Sequence, residues 1–286
     1  SVIYLQMSLS YHNLPVYVGA ADASTVTENT AYVPATQVNV NYNTTSAPRR
    51  NLGVDVATGD QFTFSSALAA TISMTCILQK EFEVGFEFFS DNSNDNFFPI
   101  KIGDNMFQKC YATDIAITIA PDVPVTLQAN FISLDPATGE TIQGDATPYT
   151  GGTIPFDADQ LIYGQFCTVE NMGNVVGNVQ SQINFKRTYN RTPIYTLGSV
   201  NASSALLDGI DEEMSISSTG LSNLINFSGD VLNSDVKVNL LSQDGATLDD
   251  MQFISMKKGA RVLTETYNAA GGNTVETTAT LRQITL

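Results

Sequence analysis

Apolar and polar residues alternate with a period of two along much of this chain. Asp114-Ile-Ala-Ile-Thr-Ile119 does so, and so does Val123-Pro-Val-Thr-Leu-Gln-Ala-Asn-Phe-Ile132. Thr71 to Leu78 alternate more loosely between apolar and small polar types. Successive side chains of a strand point to opposite faces, so each run lays one set on a core and the other outward. Ala120-Pro-Asp-Val-Pro124 lies between the first two runs and carries turn residues, which predicts an antiparallel hairpin. Pro124 has no amide hydrogen and belongs at a strand start or on an edge. Arg261 to Tyr267 and Thr274 to Ile284 form a second hairpin, turned by Asn268 to Asn273 with its Gly271-Gly272 pair. Helical spacing occurs at Gly220 to Gly229, where Leu221, Leu224, Ile225 and Ser228 share a face and Thr219 is placed to cap. Glu81 to Phe89 fits a helix or a strand equally.

The pattern also repeats. Val40-Asn41-Tyr42 is followed by a polar stretch containing Pro48, Arg49 and Arg50, then Leu52-Gly53. Ile183-Asn184-Phe185 is followed by a polar stretch, then Pro193, Ile194, Tyr195 and Leu197-Gly198. Pro48 and Pro193 are 145 residues apart, as are Gly53 and Gly198, and the chain has 286 residues. Thr71 to Thr75 corresponds to Met214 to Ser217, and Gly103 and Gly259 precede the two closing hairpins. A period of this length is too long for a solenoid repeat and predicts two similar domains in tandem. Asp135 to Glu140 reads as a turn, and Gly144 to Gly152 as a linker rich in Gly. The predicted domains are therefore 1–150 and 151–286, each with about one short helix.

Composition changes the picture in two ways. Charged residues are only 15%, below the usual ~25%. Neutral polar groups take their place, which suits dense packing against other copies because fewer charges need desolvation. The balance is acidic, with 13 Lys and Arg against 29 Asp and Glu, a net charge of −16. Phosphate binding needs clustered basic residues, and the sequence offers only the pairs Arg49-Arg50 and Lys257-Lys258. Tight nucleic-acid binding is excluded on that ground. Arg49-Arg50 fits either an exposed loop or a fork onto carboxylates of a neighbouring subunit.

Little else carries chemistry. His12 is the single histidine, so a histidine-based triad or multi-histidine metal site is ruled out. Asp91-Asn-Ser-Asn-Asp-Asn96 starts like a calcium loop, but Asn96 and Ile102 stand where such a loop needs Gly and Glu. Asp211-Glu-Glu213 reads as a solvated acidic face. Cys76, Cys110 and Cys167 lack metal spacing and read as buried free thiols. No enzyme activity, metal or cofactor is expected. No apolar run is long enough for a membrane-spanning helix. The N-terminus, Ser1-Val-Ile-Tyr-Leu-Gln, lacks the basic and apolar regions of a signal peptide.

Taken together, the Asn-aromatic strand, the loop Val-Asn-Tyr-Asn-Thr-Thr-Ser-Ala-Pro-Arg-Arg-Asn-Leu-Gly and the strand Ala-Thr-Ile-Ser-Met-Thr resemble phage tail tube proteins. The stretch from Ile102-Gly103 through Cys110-Tyr111 to the hairpin resembles their C-terminal part. The resemblance implies small β-sandwich or β-barrel domains, six to a ring, whose inner sheets join around a lumen. Tandem members form the ring as a trimer with pseudo-hexameric symmetry. It implies a virion protein assembled in the host cytoplasm, with no membrane partner. The partners implied are its own copies and other tail proteins such as sheath, tape measure, terminator and baseplate. DNA passes through the lumen without specific binding. Asn41, Pro48, Arg49, Arg50 and Gly53, and in the second half Asn184, Pro193, Ile194, Tyr195, Leu197 and Gly198, are the implied contacts of the long loop with the next ring. The second loop has Ile194-Tyr195 where the first has Arg49-Arg50. Competing readings are another tail, neck or baseplate subunit, an extracellular β-rich adhesin, and a carbohydrate-active enzyme. The absence of Trp argues against the last, because sugar sites favour stacked aromatics.

Overall fold

The computed structural model describes residues 15–23, 26, 32–41, 45–48, 62–65, 70–79, 96–103, 105–135, 161–170, 180–197, 202–219, 227–228, 231–241, 253–269 and 275–285. The protein is mainly β, as its alternation predicts. In chain order the strands are β1 (Val16–Val18), β2 (Tyr32–Val33), β3 (Ala35–Asn41), β4 (Thr45–Pro48), β5 (Phe62–Ser65), β6 (Ala70–Ile77), β7 (Phe98–Ile102), β8 (Asn105–Ile119) and β9 (Thr126–Ser133). They continue with β10 (Thr168–Glu170), β11 (Gln180–Tyr195), β12 (Ala202–Thr219), β13 (Phe227–Ser228), β14 (Val231–Leu232), β15 (Val236–Asn239), β16 (Phe253–Met256), β17 (Arg261–Ala269) and β18 (Val275–Thr285). Thirteen of them form one antiparallel sheet; β10, β15 and β16 form a second, and β4 and β5 a third.

Within the large sheet the long strands fall into two quartets. The first runs β3-β6-β9-β8 and the second β11-β12-β18-β17. Each places its members in the same order: first, second, fourth, third. The two Asn-bearing segments that match in sequence are the first strands of the quartets. Asn41 lies opposite Thr71 on β6, and Asn184 opposite Ser215 on β12. The quartets join edge to edge, since β8 pairs with β11 from Asp114↔Thr188 to Ile119↔Ile183. The result is a wall of eight antiparallel strands, β3 at one end and β17 at the other.

Both predicted hairpins are present, with β8 turning into β9 and β17 into β18. Pro124 makes an isolated bridge to Tyr163 just before β9, the strand-start position its missing amide requires. Strand β8 begins earlier than its alternation suggests, at Asn105. Its first half pairs back onto β7 through a turn at Gly103, whose φ of 57° suits glycine. Gly164 allows a close approach that no other residue could make. A Cβ there would stand 2.0 Å from the Ala120 carbonyl oxygen, so the short 3-10 turn Gly164–Phe166 lies directly against the first hairpin's turn.

The helical reading of 220–229 is corrected at its described end. Among the described residues that 3-10 turn is the only helical element. Phe227 and Ser228, at the end of the helical window, pair with Leu232 and Val231 as strands. At these two residues the neighbouring strand supplies backbone partners in place of helical ones. Residues 81–89, 220–226 and 144–152 lie outside the described residues, and so does the boundary expected near residue 150.

The core covers one face of the wall. On β6 Ala70, Ile72, Met74 and Cys76 are buried while their neighbours are half-buried. Phe131 on β9 lies opposite Ile72, and Ile115 and Ile117 on β8 lie opposite Ala129 and Leu127. Ile183, Phe185, Met214, Ile216, Ala279 and Leu281 continue this layer through the second quartet into one cluster. Val236, Val238, Ile254 and Met256 of the small second sheet belong to it too. Each large side chain fully buried this way contributes about 1.5–3 kcal/mol.

Two cysteines lie in this core, where burial pushes the Cys76 thiol up to about 12 and that of Cys110 higher still. Burial raises Cys167, which is partly covered, to about 11. The folded state therefore holds these thiol protons more tightly than the unfolded chain, whose thiols ionise near 9.0. That contribution is complete below pH 9 and is lost as the pH climbs towards 12. Iodoacetamide at pH 8 should leave Cys76 and Cys110 unlabelled in the native protein and label both in urea. Mass spectrometry of the alkylated peptides checks this; native labelling of Cys76 at the unfolded rate would contradict the packing.

Candidate functional site

The face of the wall away from the core is built of short polar side chains. Across one row, Asn39 on β3 faces Ser73 on β6, which faces Asn130 on β9. Asn130 Nδ2 donates to Asp114 Oδ1 of β8 at 2.7 Å, and Asp114 lies opposite Thr188 of β11. Another row runs Gln128, Ala116, Lys186, Glu213 and Arg282, crossing from the first quartet to the second. Arg282 also forms a two-point ion pair with Asp211, two residues along β12 from Glu213. Acidic and basic groups are thus interleaved on a surface of Ser, Thr, Asn and Gln that also carries Ala116 and the exposed Ile284. Such a face holds water and offers no cluster of cations to phosphate.

Asp211-Glu-Glu213 does not form the single solvated face expected from sequence. Strand alternation splits it. Asp211 and Glu213 lie on the polar face, while Glu212 is turned to the core side and buried. There it meets Arg187 directly opposite on β11, with Arg187 Nε 2.7 Å and Nη2 2.6 Å from the same oxygen, Oε1. Arg187 also lies over the Phe185 ring at 5.8 Å. Burial works against its charge, but Tyr189 and Glu212 outweigh that and raise the guanidinium above its ordinary value. Burial raises Tyr189 as well, against the opposing pull of Arg187 and Arg191.

Beyond the wall, β11 and β12 continue together as a two-stranded arm. The ladder to β8 stops at Thr188, and that to β18 stops at Ile210. The β11–β12 pairing runs on to Tyr195↔Ala202, with a bulge after Asn190. Arg191 pins the base of the arm. Its Nε donates to the Ala112 carbonyl at 2.8 Å, and its guanidinium lies over Tyr111 and Tyr189 at 5.2 and 5.6 Å. Ala202 and Ala205 pack on Tyr111, Ile132 and Leu134 as a small second cluster. Ile194 and Leu206, on the arm's other side beside Thr192 and Ser204, are 42% and 48% exposed; at the arm's end Tyr195 is 44% exposed and Leu197 fully so. Exposed apolar groups gathered on one projecting element mark an interaction surface more often than scattered ones do.

The residues singled out from sequence fall as follows. Pro193, Ile194, Tyr195 and Leu197 come together at the end of the arm, and Gly198 lies outside the described residues. Asn184 and Asn41 are both exposed on their strands, Asn184 accepting from Gln182 Nε2 at 3.2 Å. Pro48 ends β4 opposite Phe62. Arg49, Arg50 and Gly53 lie outside the described residues, as do His12 and most of the Asp91–Asn96 loop. Sequence reading passed over Arg187, Arg191 and Leu206, and took Glu212 for part of a solvated face. The one available signal was a run of Arg and Tyr within an alternating strand, which spacing alone does not separate from a surface pattern. Among the described residues no three His, Cys, Asp or Glu side chains converge as metal ligands would. No helix among them is long and apolar enough to cross a membrane.

The fold defines a mainly β protein with a large antiparallel sheet. No protein-family model matches the chain, and no curated protein matches it.

Proposed function

We propose that this protein is a structural, non-enzymatic virion component whose copies form rings that stack into a phage tail tube, the conduit for DNA ejection. Each half of the chain, divided near residue 150, is one tube domain, and trimeric rings have pseudo-hexameric symmetry. The observation that carries the reading is the repeated quartet. Two strand sets of one order, joined edge to edge into a single wall, supply the unit from which a continuous barrel is built. The polar, charge-interleaved face suits a lumen over which DNA slides without specific binding, and the net charge of −16 opposes its adhesion. The apolar arm end suits contact with the next ring. The remaining partners in this reading are other tail proteins such as sheath, tape measure, terminator and baseplate. Concentrated protein in negative-stain electron micrographs should show hollow tubes or rings. Particles of single-chain size at every concentration would overturn the proposal.

A further inference from the structure

The arm formed by β11 and β12 leaves the wall at a double bulge. Both ladders that tie these strands to their neighbours end within one residue pair of each other, at Thr188 on the β8 side and Ile210 on the β18 side. On β12 Asp208 is an extra residue, because Asn190 faces Gly209 while Arg191 faces Leu207. On β8 Thr113 is an extra residue, between Ala112↔Phe131 and Asp114↔Asn130. The two bulges share one level, since Asp114 is the last partner of Thr188. A bulge bends its strand and sharpens the local twist, so the sheet turns where its outer ladders stop. Thr192 Oγ1 donates to Asp208 Oδ2 at 2.5 Å, which ties the extra residue of β12 to the arm.

Apolar packing alone holds the arm weakly. Its members of the small cluster on Tyr111, Ile132 and Leu134 are Ala202 and Ala205, each bringing a single methyl group. Leu207, at the base, is the described arm residue that packs on the main core. Arg191 supplies a directional tie. Its Nε meets the Ala112 carbonyl, one residue before the β8 bulge, and its guanidinium lies over Tyr111 and Tyr189. Ala112 and Tyr111 belong to the first quartet and Arg191 to the second, so a side chain takes over the seam where backbone pairing with β8 ends. A charged donor makes a stronger bond than a neutral one, and a planar guanidinium stacks on rings only when it lies flat against them. Meeting the carbonyl and both rings together fixes one angle between arm and wall.

We infer that the arm is a hinged strap: the two bulges are its hinge, and Arg191 is the latch that holds it seated on the first quartet. With the latch released the arm swings as a unit, its own β11–β12 pairing intact. Spin labels test this in the full chain, dispersed and diluted with unlabelled protein. One label sits on the arm at Leu206→Cys and the other on β9 at Gln128→Cys, both exposed positions. Cys167, the partly exposed thiol, is replaced by serine. Electron double resonance should give one narrow arm-to-wall distance with Arg191 present. Arg191→Met keeps the apolar stem and removes the donor and the charge, and it should broaden that distance. Arg191→Lys can reach the carbonyl but cannot lie flat over two rings, so it should broaden the distance too, and it decides the matter where the Met variant does not fold. A control pair on the wall, Gln128→Cys with Thr264→Cys, should stay narrow throughout. Amides of 203–207 should exchange at the wild-type rate in the variants, because their partners on β11 travel with them. A broad distance with Arg191 present, or an unchanged one in the folded variants, would overturn the latch. Faster exchange at 203–207 would mean that the arm frays rather than swings, and would overturn the hinge.

Discussion

Replacing Glu212 with alanine should destabilise the fold by about 3–5 kcal/mol, the cost of leaving a buried charge without its partner. The side chains of Arg187 and Glu212 are 15% and 10% exposed, so water cannot substitute for the lost carboxylate. Arg187 would keep its place over Phe185 and beside Tyr189, with two donors pointing at an empty volume. The fold therefore loses more than the pair itself was worth. A double variant, Arg187→Met with Glu212→Leu, should recover most of the loss, because it removes both charges and fills the same space with apolar atoms. Urea unfolding of the wild type and both variants measures the difference. Equal midpoints for Glu212→Ala and the wild type would mean that the pair behaves as an exposed one, worth about 0–1 kcal/mol.

The second large effect concerns assembly. Changing Ile194, Tyr195 and Leu197 together to serine should leave the monomer's stability nearly unchanged. Leu197 is fully exposed, Ile194 and Tyr195 nearly half so, and none belongs to either core cluster. Surface changes of that kind usually fall within about 0.5 kcal/mol. If the arm docks on the next ring, the same change removes apolar area from every repeat of that contact. Burial at about 25 cal/mol per Å² makes even one tyrosine worth over 1 kcal/mol at an interface. The expected variant is folded, forms rings, and yields few or short tubes. Circular dichroism and tube-length distributions from micrographs separate the two effects. Tubes of wild-type length at equal protein concentration and salt would show that the arm plays no part in stacking.

The apolar positions of β6, β8 and β9 were readable in the sequence because a strand with one buried face must alternate. Ile115, Ile117 and Ile119 are buried and Ala116 and Thr118 are not, as period two requires. The helix expected at 220–229 failed at its described end for the opposite reason. Its apolar spacing was a local property, while the pairing of Phe227 with Leu232 is a tertiary one. Asp211-Glu-Glu213 shows the same limit. Three adjacent acids look alike in sequence, yet alternation sends the middle one to a basic partner 25 residues away. Arg191 was invisible as a structural residue because its acceptor is a backbone carbonyl 79 residues distant.

The sequence by itself determined the β class, both closing hairpins, the burial of Cys76 and Cys110 and the correspondence of the Asn41 and Asn184 strands. Each of these follows from local alternation, turn chemistry or direct similarity. Only the tertiary structure decided that the two strand sets share one order, that β8 rather than another edge receives β11, and that β3 and β17 stand at the ends of the wall. Edge choice has no local signature. A strand's side chains record which face is buried, but its two backbone edges carry the same N–H and C=O groups, and only the arrangement of the whole chain determines which of them is left open.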